Sequence, residues 1–115
     1  MAYTQKFQNM ANAARARVEE VLPEHVDALM AKGAVALDIR DKEEHDVDHI
    51  PRSLNISRGK LEMMVEGVIP DADTLILCYC NAINRGALAA DSLRAMGYGN
   101  AKFIVGGLIA YRGLG

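Results

Sequence analysis

Cys80 is followed by Asn81-Ala82-Ile83-Asn84-Arg85-Gly86, a run of small, amide and basic residues with no acid among them. A cysteine becomes a nucleophile when its thiolate is stabilised, and backbone N–H donors, a helix N-terminus or a nearby cation do this. If a strand ends at Cys80 and a helix starts a few residues later, the intervening turn points several N–H groups at one spot. That arrangement is an anion cradle. A sulfur held there is favoured as thiolate, and a second sulfur attached to it, as a persulfide, gains from the same donors. Arg85 adds a fixed cation. Most lone cysteines are instead small buried hydrophobes, and the loop taken alone leaves both readings open. Cys78, inside the same apolar run, reads as core. The two cysteines are too close for a typical structural disulfide and too few for a zinc site.

The elements that would position this loop follow from the apolar pattern. Thr74-Leu75-Ile76-Leu77-Cys78-Tyr79 is apolar on both faces, which predicts a central parallel strand ending just before Cys80. Residues 86–96 predict a helix with Leu88, Ala89, Leu93 and Met96 inward, ended by Gly97-Tyr98-Gly99. Ala101–Val105 reads as a strand, Gly106-Gly107 as a tight turn, and a last helical segment follows. Upstream, Ala34–Ile39 predicts a buried strand with Asp38 and Arg40 at its carboxyl end. Asp41 and Glu44 have capping-box spacing. Residues 53–56 read as a short strand, and residues 59–66 as a helix carrying Leu61, Met64 and Val65. Phe7, Met10, Ala14, Val18 and Val21 form one stripe of an amphipathic helix over residues 5–21. Pro23 opens a short helix through Met30, which Gly33 ends. Strands alternating with helices imply an α/β fold, a small, mainly parallel sheet flanked by helices on both faces. One domain is expected over 1–115, with an N-terminal helix in 1–21 and a core over about 22–113.

Composition narrows the function. The chain has 115 residues, half of them hydrophobic, with a net charge of −2 and a pI near 5.9. That balance gives no general attraction to nucleic acid or anionic membrane. No apolar run approaches the ~20 residues that span a bilayer. Gln5, Lys6, Gln8 and Asn9 interrupt any export signal, so a cytoplasmic protein is expected. No nucleotide fingerprint or Ser/His/Asp arrangement is present, and no cofactor is expected. His45 and His49 are four apart, but Pro51 makes a structural turn the better reading than a metal site.

Leu37-Asp38-Ile39-Arg40, Glu43-Glu44, His49-Ile50-Pro51 and Leu54-Asn55-Ile56 resemble the first half of a rhodanese-like domain. Tyr79-Cys80 through Arg85, Ala87-Leu88-Ala89-Ala90, Leu93, Met96-Gly97-Tyr98, Val105-Gly106-Gly107 and Ala110-Tyr111 resemble its second half. The resemblance runs from about Val21 to Gly113. It implies a sulfurtransferase in which Cys80 takes a sulfane sulfur from a donor such as thiosulfate. The sulfur is held as a persulfide and passed to a thiol or cyanide. It also implies that Asn81, Ala82, Ile83, Asn84, Arg85 and Gly86 form the binding loop and that Asp38 and Arg40 brace it. The expected partners are a small sulfur-donor anion and a thiol acceptor, with the protein a monomer or homodimer. A non-catalytic binding or sensor module on the same fold is the alternative. Related phosphatases and arsenate reductases have a longer Cys-x5-Arg loop, whereas Cys80 to Arg85 is Cys-x4-Arg, a tighter ring suited to sulfur.

The chain departs from that pattern in places. Ile83 stands where glycine is frequent, and would be strained if the position needed φ > 0. Gly86 stands in place of a hydroxyl residue, Asp48 and Arg52 in place of glycines, and Tyr111 in place of a frequent tryptophan.

Overall fold

The computed structural model describes residues 3–115. Its centre is a five-stranded, all-parallel sheet of β1 (Glu20–Val21), β2 (Val35–Asp38), β3 (Leu54–Asn55), β4 (Ile76–Tyr79) and β5 (Ala101–Ile104), in the order β1-β5-β4-β2-β3. The most apolar segment, β4, is central and wholly buried, as the absence of alternation in its sequence requires. Six helices surround the sheet: α1 (Gln5–Arg17), α2 (Val26–Ala31), α3 (Lys42–Val47), α4 (Leu61–Val68), α5 (Asn84–Ala95) and α6 (Gly107–Arg112).

Alternate strand residues feed two separate cores, as the two-residue repeat of a strand dictates. Leu37, Ile76, Cys78 and Phe103 pack with Leu61, Val65, Ala87, Ala90 and Leu93 on one face. Ala36, Leu77, Tyr79 and Ile104 pack with Val26 and Leu108 on the other. Helices α4 and α5 therefore cover the first face, and α2 and α6 the second.

The N-terminal helix is shorter than its apolar stripe predicts. It stops at Arg17, and Val18 is extended at φ −119°, ψ 154°. The chain then forms β1, with Glu20 opposite Phe103 and Val21 opposite Ile104. Hydrogen bonds to the free edge of β5 replace further helical ones: Phe103 N–H donates to Glu19 O at 3.2 Å and Val105 N–H to Val21 O at 2.9 Å. The buried residues of α1 are Ala11 and Ala14, whereas Met10 is exposed. Small side chains let α1 lie close on α5, tied by Arg17 to Asp91 at 2.6 and 2.9 Å. Met64 and Met96, expected inward, are partly exposed at the rims of their helices, and Leu88 is half-buried.

Tyr79 anchors the turn after α3. Its hydroxyl accepts the Ile50 N–H at 3.1 Å and shares a proton with Ser53 Oγ at 2.7 Å, all in the buried interior. Burial pushes the Tyr79 phenol up to about 12, so it remains a neutral donor and acceptor. In the same turn Arg52 adopts φ +67°, the only non-glycine with positive φ among the described residues.

Two stability predictions follow from this turn. Tyr79→Phe removes the acceptor of a buried N–H, so denaturant unfolding should register a loss of about 1–3 kcal/mol. Arg52→Gly should stabilise by up to about 1 kcal/mol, because the left-handed penalty slightly exceeds the extra chain entropy of glycine. Arg52→Ala, with the same backbone penalty, should give no gain.

Candidate active site

Register decides what meets the loop. Leu37 lies opposite Cys78 and Asp38 opposite Tyr79, so β2 and β4 end level with each other. The residues just beyond them, Arg40 and Cys80, are thereby brought to the same end of the sheet, where ligands of parallel sheets bind. Cys80, Asn81, Ala82 and Ile83 form the connection, and α5 starts at Asn84.

The loop is held from behind by α6. Cys80 O accepts the Leu108 N–H at 2.9 Å and Asn81 O accepts the Ile109 N–H at 3.2 Å. These are first-turn amides that lack partners within their own helix. So close an approach needs Gly107, at φ +56°: a Cβ there would overlap the Cys80 carbonyl oxygen and come within 2.7 Å of Ala82 O. With loop carbonyls engaged this way, the amides of residues 81–86 donate to no protein acceptor among the described residues. Six consecutive N–H groups left unspent after a cysteine are donors of the kind an anion cradle uses.

Gly86 lets α5 begin hard against the end of β4. A Cβ at that position would lie 3.3 Å from both Cys78 O and Tyr79 Cα. Ile83 has φ −128° and ψ −49°, so the position does not need a left-handed backbone and the strain conditionally expected there is absent. Its side chain packs against the core around Cys80. Asn84, the first residue of α5, exchanges amide hydrogen bonds of 3.3 and 3.4 Å with Gln8 of α1.

Arg40 and Asp38 stand beside the loop and are almost wholly buried. The Arg40 guanidinium donates to Asp38 at 3.0 and 2.8 Å, to Asn81 Oδ1 at 3.1 Å and to Asp48 O at 2.6 Å. Burial alone would raise the Asp38 carboxyl. The bonds from the Arg40 side chain and backbone and from His45 outweigh it, holding the carboxyl below the usual carboxylate range. Asn55 Nδ2 donates to the carbonyls of Asp38 and Arg40, both at 3.0 Å.

Glu44 borders the loop, a placement that neither its capping-box spacing nor its part in the Glu43-Glu44 resemblance indicated. It accepts the Asp41 N–H at 3.1 Å, as capping requires. It also reaches Arg85 at 3.3 and 3.4 Å and Asn81 Nδ2 at 3.4 Å. Arg85 holds the Glu44 carboxyl below its ordinary range. Helix spacing reveals the cap, but the contact with Arg85 exists only through the fold.

His45 and His49 stack with ring centroids 3.9 Å apart. The Nδ1 of His45 meets Asp38 at 2.9 Å and that of His49 meets His45 O at 2.7 Å. No cluster able to hold a metal occurs among the described residues. Cys78 is fully buried and its thiol is pushed up to about 12 by burial. Cys80 is itself only 3% exposed and belongs to the core that Ile83 joins from the loop. A groove of about 820 Å³ between α1 and α5, lined by Met10, Arg17, Leu88 and Asp91 among others, does not include it. Asp48 binds Arg112 of α6 at 2.5 and 3.1 Å. Tyr111 donates its hydroxyl proton to Asp27 Oδ1 at 2.7 Å. No described helix is long and apolar enough to cross a membrane.

Comparison with known proteins places this geometry. The thiosulfate sulfurtransferase GlpE of Pseudomonas entomophila is 32% identical over 94 residues, covering 82% of this chain and 84% of that one. A Rhodopseudomonas palustris protein of unknown function, described as a possible tyrosine phosphatase, superposes with a TM-score of 0.86 at 29% identity. The match covers 99% of this chain and 94% of that one. The human single-domain sulfurtransferase TSTD1 shares the fold, with a TM-score of 0.74 at 24% identity over 84% of this chain and 96% of that one. Residues 22–113 match the rhodanese-like domain, a span that starts after α1 and contains every strand but β1 together with the whole Cys80 loop. On that match, the chain belongs to the rhodanese-like domain family.

Proposed function

We propose that this protein is a sulfurtransferase that carries a sulfane sulfur on Cys80. The observation that supports this most is the loop after β4, in which the six consecutive amides that follow Cys80 donate to no protein acceptor among the described residues. The Cys80 thiolate attacks the outer sulfur of a donor. The donor's S–S bond breaks, and its electron pair leaves with the donor's remaining fragment. A persulfide then sits on Cys80, where the amides of residues 81–86 stabilise its charge. An acceptor thiolate attacks the outer sulfur and releases Cys80 as thiolate. No general base is required, since both attacking groups are anions.

In this reading Asp38 and Arg40 are positioning residues: Arg40 reaches the reacting centre only through Asn81. Arg85 orients the incoming donor. The phosphatase description of the Rhodopseudomonas relative does not transfer easily, since four residues between Cys80 and Arg85 leave a ring sized for sulfur. The small exposure of Cys80 keeps the second reading, a binding or sensor module, distinct, and sulfur loading separates the two.

Intact-mass measurement after incubation with a sulfane-sulfur donor should find one added sulfur on the wild type and on Cys78→Ala, and none on Cys80→Ser. No loading from several donors would favour the binding module, and loss of loading in Cys78→Ala would require a two-cysteine relay. Gly107→Ala should slow transfer on the order of 100-fold by displacing the loop, as misplacement of about 1 Å does elsewhere. Ile83→Gly should not raise the rate, because no strain is relieved.

A further inference from the structure

Four cations at this end of the fold are paired with carboxylates. Arg40 is paired with Asp38, Arg85 with Glu44 and Arg112 with Asp48. Lys42, on α3, is paired with Asp46. These groups together supply no excess positive charge at the mouth of the site. Arg85 is the only cation within the loop sequence, so its partner decides how much charge a donor meets. That partner is not free to leave. Glu44 caps α3 through the Asp41 N–H and also accepts from Asn81, so moving it away uncaps a helix and releases a loop side chain.

We infer that Glu44 selects the donor at Cys80, disfavouring a dianion such as thiosulfate and leaving the site to the persulfide of a low-charge thiol. This rests on the sulfurtransfer reading above and narrows it. Thiosulfate brings two negative charges, and its sulfonate must share Arg85 with a carboxylate fixed alongside. Repulsion at such distances weakens binding about tenfold at partly exposed sites. A persulfide R–S–SH needs no such cation. The Cys80 thiolate takes its outer sulfur, the S–S bond breaks, and RS⁻ leaves with the electron pair, giving Cys80–S–SH. Negative charge passes from Cys80 to the departing RS⁻, and the Cys80 persulfide, once it loses its proton, presents one charge to the loop amides.

The test compares thiosulfate with the persulfide of N-acetylcysteine methyl ester, a neutral carrier, as donors for loading Cys80. In Glu44→Gln the ratio of kcat/KM for thiosulfate to that for the persulfide should rise about tenfold. The gain should lie in the KM for thiosulfate and fade as NaCl is added. Asp46→Asn, the same charge change on the far side of α3's cap, should move the ratio less than about twofold. An unchanged or lower ratio in Glu44→Gln, or an equal rise in Asp46→Asn, would overturn the inference. If wild-type Cys80 loads from neither donor, the sulfurtransfer reading fails by itself. Calorimetry of thiosulfate binding to Cys80→Ser, with and without Glu44→Gln, then still decides the role of Glu44. About tenfold tighter binding with Gln supports it, and equal affinity refutes it.

Discussion

The buried pair between Asp38 and Arg40 is the interaction on which the rest of the site depends. Asp38 is wholly buried, and a carboxylate there is tolerable only if its charge is neutralised and its lone pairs are used. Arg40 meets that need with its backbone N–H and two guanidinium nitrogens. The remaining guanidinium donors then have fixed directions, toward Asn81 in the loop and toward the Asp48 carbonyl. The end of β2, the end of α3 and the start of the Cys80 loop thus become one rigid unit. Loss of one partner would leave the other charge buried alone, at about 3–5 kcal/mol, so structure and loop geometry are coupled through the same bonds.

That unit exists because the sheet is parallel and in register. Strands that run together end together, and the level ends of β2 and β4 set Arg40 beside Cys80 without a long loop from either. The far side of the loop is managed differently, by the opening amides of α6 and a glycine that lets them come close. Side-chain charge on one flank and backbone dipoles on the other hold the loop in place. The groove between α1 and α5 lies away from this loop.

Much of this was legible in the residues. The unbroken apolar run of β4, the short run of β2 and the turn chemistry after α5 are local signals, and the four helices that cover the sheet faces follow from spacing. The N-terminal segment misled because its stripe of Phe7, Met10, Ala14, Val18 and Val21 spans two elements. Val18 ends α1 in an extended conformation and Val21 lies in β1, and a two-residue strand leaves no periodicity to read. The backbone at Ile83 and the reach of Glu44 were also hidden. The first depends on how the loop is seated against α6 and the end of β4, and the second on Arg85, 41 residues further along the chain. Arg52 shows the converse case, in which the glycine of the family pattern marks a left-handed position that this chain fills with arginine.

The placement of Cys78 has a consequence for oxidative damage. The chain holds only one cysteine besides Cys80, and that thiol is locked in the strand interior with its ionisation pushed up to about 12. A peroxide that converted Cys80 to a sulfenic acid would find no thiolate in the same molecule to condense with, and disulfide formation is the usual escape from further oxidation. Recovery therefore falls to a small thiol from solution. The burial that shields Cys80 is then also what such a thiol must overcome to reach it.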